Sequence, residues 1–220
     1  MKSNLPAGNA GLRSNAIVTG DMKIDYYRFR DLLFDGNTGL PTLPLVIEKV
    51  RGLLERHGSI GVITVDLSRY AKAEYTYGWE TIDKVIGAIA AAIRAATDEE
   101  MGVLSVTRAR GDDFAVFITP RGPRKEMTFP ILREVGADLL RKIDAALARD
   151  FPKNIAGLFT LYVGHAIVVN NANIRLERAV FRGLKEAGEV ALNKEILDKH
   201  TRIADLKKII QSKSIRTFMH

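Results

Sequence analysis

Two adjacent acids, Asp112 and Asp113, stand in the run Arg108-Ala109-Arg110-Gly111-Asp112-Asp113-Phe114, between two short apolar stretches. Neighbouring carboxylates at a tight turn repel each other and add nothing to packing, so a ligand that needs both is a natural reason for them. A divalent cation such as Mg²⁺ or Mn²⁺ is the leading one, because hard cations prefer carboxylate oxygens and bind substrate phosphates through them. An ordinary Gly-Asp hairpin turn accounts for the same residues equally well at this level. A third acid, Asp66, sits near the end of the apolar run Ile60 to Leu67 and completes a carboxylate set if the two segments lie side by side. Paired cations held in this way serve phosphoryl and nucleotidyl transfer, where they activate a hydroxyl and neutralise the leaving oxygen.

The elements that must position these acids follow from hydrophobic period. Val103 to Ala109 and Phe114 to Thr119 read as two strands joined by the acidic turn, with Phe114, Val116 and Ile118 on one face. Gly111 in the turn admits a close backbone approach. Ile60 to Leu67 is apolar almost throughout, as in a strand covered on both faces. Helices are predicted over Met22 to Phe34, Leu43 to His57, Trp79 to Thr97, Ile131 to Arg149 and Leu176 to Asn193. In the second of these, Leu45, Ile47, Val50, Leu53 and Leu54 form the expected apolar face; in the third, Ile82, Ile86, Ile89 and Ile93 do. Leu158 to Val169 is the last strand, and a basic loop spans Pro120 to Lys125. Helix, strand, helix, hairpin, helix, strand, helix is the order of an α+β domain of the ferredoxin-like kind, an antiparallel sheet flanked by helices.

Composition narrows the function classes. There is no cysteine in the 220 residues, which excludes disulfides, thiol catalysis and cysteine zinc sites and suits a reducing cytoplasm. His57, His165, His200 and His220 have no ligand spacing, and structural or exposed roles are expected for all four. No apolar run approaches the roughly 20 residues that cross a bilayer, so no membrane contact is expected. The net charge of +7 favours anionic partners such as nucleotides. Aromatic residues do not interleave with a basic stripe, which argues against nucleic acid as a partner.

Four segments in order carry a resemblance: FDGNTGLPT, the run Val65 to Val85 (VDLSRYAKAEYTYGWETIDKV), RGDDF, and AVFRGLKEAG. Together they resemble the GGDEF domain of diguanylate cyclases, over Asp35 to Asn193. In that family two GTP molecules, one on each half of a homodimer, condense to cyclic di-GMP. The resemblance implies that Asp66 binds both metal ions, the Leu67 carbonyl one of them, and that Asp112 and Asp113 supply the remaining carboxylates. It implies that Asp83 hydrogen-bonds the guanine edge and that Lys185 reaches the terminal phosphates.

The departures from the family pattern bear on activity. Arg110 stands at the first glycine of the motif, beside Gly111, where the nucleotide packs against backbone. Glu74 stands where an asparagine reads guanine, and a carboxylate accepts hydrogen bonds but donates none. Ala71 and Glu189 replace two cations near the phosphates. Each lost charge-assisted contact removes about 1.5–3 kcal/mol, one to two factors of ten in affinity. Met101 stands where the product-inhibition motif Arg-x-x-Asp would start, so inhibition there is not expected.

Leu206 to His220 resembles the segment that leads into an EAL phosphodiesterase domain. The expected organisation is therefore a lead and connecting helix over 1–34, a GGDEF domain over 35–195, and a linker helix over 196–220 towards an EAL domain in cis. The expected function is that of a degenerate GGDEF domain, binding GTP and metal weakly and regulating its neighbour. The alternative is an active diguanylate cyclase working as a homodimer, since every metal carboxylate is kept.

Overall fold

A computed structural model describes residues 33–68, 70–97, 103–110, 113–120 and 126–218. The chain forms α1 (Leu43–His57), β1 (Ser59–Ser68), α2 (Tyr70–Tyr77), α3 (Trp79–Ala96), β2 (Val103–Arg110) and β3 (Asp113–Ile118). These are followed by α4 (Phe129–Asp150), α5 (Lys153–Ala156), β4 (Thr160–Val169) and α6 (Leu176–Phe218). The four strands make one sheet in the order β2-β3-β1-β4, every neighbouring pair antiparallel. This is the α+β, ferredoxin-like arrangement read from the sequence.

The predicted periods of β1, β3 and α3 appear as buried faces. Along β1, Ile63, Val65 and Leu67 enter one core with Phe114, Val116 and Ile118 of β3 and with Ile82, Ile86, Ile89 and Ile93 of α3. The intervening Ile60 and Val62 enter a second core on the opposite face, with Ala115 and Phe117 and with α1 and α6. The central strand is thus covered twice, which is why its sequence does not alternate.

Three details differ from the sequence reading. In α1 the buried stripe is Val46, Val50 and Leu54, at i, i+4 and i+8, whereas Leu45 is exposed and Ile47 and Leu53 are half-buried. The expected stripe spread around more than one side of the helix; packing selected the line along its axis. The short helices α2 and α5 carry too few apolar residues to announce themselves, α2 burying only Ala73. Finally, α6 does not stop near Asn193 but runs through Gly188 and the expected linker as one helix of 43 residues. No proline interrupts it, and each of its two glycines, Gly183 and Gly188, costs a helix only about 1 kcal/mol. The predicted helix over Met22 to Phe34 lies outside the described residues except for its last two, and the basic loop except for Pro120.

The position of α6 depends on Gly164 of β4. A Cβ there would lie 1.7 Å from the backbone oxygen of Ala187, so only glycine lets helix and strand approach this closely. Gly164→Ala forces the helix backbone to move rather than a flexible side chain. A loss of about 3 kcal/mol or more of unfolding free energy is expected in urea denaturation, and a change within experimental error would refute this account of the contact.

Candidate functional site

The acids meet through strand register. Asp66 is the direct cross-strand partner of Asp113 on β3 and of Tyr162 on β4. Residues directly opposed in an antiparallel ladder project to the same face, with Cβ atoms about 4.5–5.5 Å apart. Asp113, Asp66 and Tyr162 therefore form a row across three strands. The row continues the face of Val62, Ala115 and Phe117, on which α1 and α6 pack. Both acids are half-buried. Taken alone, like charges set opposite each other disfavour a sheet, so packing gives no reason for the pair.

The chemistry of this donor set fits a hard divalent cation: two carboxylates, converging at a sheet end, partly open to solvent. Two residues before Asp66 on the same face, the Thr64 hydroxyl is buried without a hydrogen-bond partner among the described residues, and a buried orphan of this kind points to an unseen water or ion. Among the described residues no group of three or more histidines or acids is placed to hold a metal. The third expected acid, Asp112, and the adjoining Gly111 lie outside the described residues, as does Met101. Arg110 pairs in register with Asp113 after a register shift that follows Arg108. Such irregularities commonly re-aim chains beside active sites.

The remaining expected residues lie on helices. Leu67 follows Asp66 with its side chain in the core. Glu74 is exposed on α2, and Gly78, at φ 81°, breaks the chain between α2 and α3 while its N–H donates to the Glu74 carbonyl. Ala71 is exposed on the same helix. Asp83, half-buried on α3, accepts a hydrogen bond of 3.0 Å from the Asn37 side chain. Lys185 is exposed on α6, on the side away from the buried stripe of Val180, Gly183, Ala187 and Ala191, and its ammonium lies 3.7 Å from Glu189. His57 and His200 are exposed. His165 stacks edge-on against Phe129, and burial, then Lys194 and Arg133, hold its pKa below the usual value.

Tyr162 and Asn37 carry contacts at this end of the domain that the sequence did not single out. Tyr162 donates a hydrogen bond of 2.6 Å to Asp198 of α6, which also pairs with Arg202 at 2.8 Å. Next to it, Lys194 donates to the Val163 carbonyl at 2.6 Å. The carboxylate row is thereby tied to the helix that flanks it. The only local signal was a phenol within the apolar run LYVGHAIVV, a residue that normally finds a partner when buried.

No protein-family model and no curated protein matches the chain, but solved structures do. It superposes on the diguanylate cyclase SiaD of Pseudomonas aeruginosa, solved in complex with its activator SiaC, with TM-score 0.53 and 18% identity. That match covers 80% of this chain and 65% of SiaD. The coiled coil and GGDEF domain of DgcB from Caulobacter crescentus, in complex with c-di-GMP, matches with TM-score 0.53 and 20% identity over 77% and 86% of the two chains. The FimX GGDEF domain from Pseudomonas aeruginosa gives 0.53 and 17% over 73% and 94%. The fold is that of GGDEF domains.

Burial, and after it the hydrogen bond to Asp198, raise the Tyr162 pKa from 10.0 to about 12. Folding therefore favours the neutral phenol. Its contribution to stability is complete below pH 10, the unfolded value, and is lost as pH rises through the folded value of about 12. Denaturation across this range should show Tyr162→Phe losing less stability with rising pH than the wild type. Equal alkaline slopes would show that Tyr162 does not couple β4 to α6 in this way.

Proposed function

We propose that this chain is a degenerate GGDEF domain of cyclic di-GMP signalling, binding GTP with a divalent metal weakly and regulating an adjacent EAL or partner domain. The observation that carries the reading is the register that sets Asp66 opposite Asp113, on a fold shared with GGDEF domains. Asp66, Asp113, the Leu67 carbonyl and Asp112 would hold Mg²⁺ or Mn²⁺, which when bound neutralises phosphate charge. The nucleotide then lies across the sheet end between α2, α3 and the acidic turn, with Asp83 and Glu74 at its base and Arg110 and Gly111 at its phosphates.

The weak step is the triphosphate. Lys185 is engaged with Glu189 rather than surrounded by cations, Ala71 offers no charge, and Glu74 donates no hydrogen bond. The retained carboxylates favour a second reading, an active homodimeric diguanylate cyclase, for which the same residues are the catalytic set. In the regulatory reading α6, continuous from the domain body into an exposed rod, carries the nucleotide state to an EAL domain in cis.

The two readings separate on incubation of concentrated protein with GTP and Mn²⁺ or Mg²⁺. Calorimetry is expected to show metal-dependent GTP binding, weakened about tenfold to a hundredfold in Asp113→Ala, with no cyclic di-GMP formed. Product that appears with the wild type and vanishes with Asp113→Ala would select the cyclase instead. Absence of metal-dependent GTP binding would overturn both.

A further inference from the structure

Glu74 leaves the base-reading end of the proposed nucleotide site with two acceptors, Glu74 and Asp83, and no donor. A 6-oxopurine presents both kinds of group: N1–H donates, while O6 accepts. The acceptor-only pair answers half of that edge. The Asn37 side chain supplies the missing type. Its Nδ2 donates 3.0 Å to Asp83 Oδ1 and 3.3 Å to the Asp83 backbone oxygen, in an exposed position.

Asn37 is held in place by its own loop. Asp35 Oδ1 accepts from the Thr38 N–H at 2.8 Å and from the Thr38 hydroxyl at 2.7 Å, and the Gly39 N–H donates to the Asp35 carbonyl at 2.7 Å. The Asp35 N–H donates to the carbonyl of buried Leu40, and Arg94 of α3 donates to the Thr38 carbonyl. The loop is thus tied to α3 at Arg94 and at Asp83, and the amide is presented rather than left to swing. Preorganised polar groups of this kind discriminate well, because the wrong base leaves them unpaired.

We infer that Asn37 is a specificity-determining residue, its amide donating to O6 of a 6-oxopurine whose N1–H donates to Asp83. On binding, the longer bond to the Asp83 backbone oxygen is exchanged for the bond to O6, while the bond to Oδ1 stays. An adenine offers an amino group at that position, which meets the amide donor to donor. This inference rests on the nucleotide reading above and adds a residue to it.

The test measures binding of GTP, ITP and ATP with Mn²⁺ to the wild type, Asn37→Ala, Asn37→Asp and Asp113→Ala, with circular dichroism to establish that each variant is folded. The wild type is expected to prefer GTP and ITP to ATP. Asn37→Ala should lower affinity for the two oxopurines about fivefold to tenfold and leave ATP unchanged. Asn37→Asp, which only accepts, should shift the preference further towards ATP. If Asn37→Ala keeps the wild-type ratio of GTP to ATP while Asp113→Ala still weakens both, the role of Asn37 is overturned and the nucleotide reading stands. If the wild type binds none of the three, both fall together.

Discussion

The end of this domain where the acids meet depends on one constraint, the antiparallel register between β1 and β3. Because Val65 pairs with Phe114 and Ile63 with Val116, Asp66 has no choice but to face Asp113. The apolar residues set that register: shifting β3 by one position would turn Phe114, Val116 and Ile118 out of one core and Ala115 and Phe117 out of the other. Two well-filled cores thus set two like charges directly opposite each other. The sheet tolerates this at its end, where both acids are half-buried and keep some water.

The register between β1 and β4 extends the row to Tyr162, and its hydrogen bond to Asp198 extends it from there to α6. Strand β4 is an edge, yet it is not left bare: Lys194 reaches the Val163 carbonyl, and the Tyr162 phenol reaches Asp198. Covering an edge in this way guards against pairing with another chain. The close approach of α6 at Gly164 makes both contacts geometrically possible. Beyond Asp198 the helix leaves the body, and every residue from Lys199 to Lys208 is exposed. The acidic row, the edge strand and the protruding helix are thus joined by a continuous set of contacts.

Much of this was legible in the chain. The doubly covered central strand, the hairpin face of Phe114, Val116 and Ile118, and the isoleucine stripe of α3 are short-range periods, and local backbone geometry alone turns them into faces. The association of Asp66 with the acidic turn was also readable, since a ferredoxin-like order of elements brings those two strands together. The α1 face was read too broadly, because a helix with apolar residues on several sides has its buried line chosen by its neighbours. Helix α2 escaped notice because only Ala73 is buried in it.

The sequence by itself determined which residues are apolar at which period, and hence the strands, the main helices and the carboxylates at their ends. Only the tertiary structure decided what stands next to those carboxylates. Asn37 and Asp83 are 46 residues apart and Tyr162 and Asp198 are 36 apart, and no local pattern links either pair. Their contacts exist because the sheet and its two helical layers close around a common core, and side-chain partners at such separation are chosen by that closure rather than by propensity. For the same reason the acids could be picked out from their order in the chain as candidates for a metal, whereas the amide beside Asp83 became visible only once the loop lay against α3.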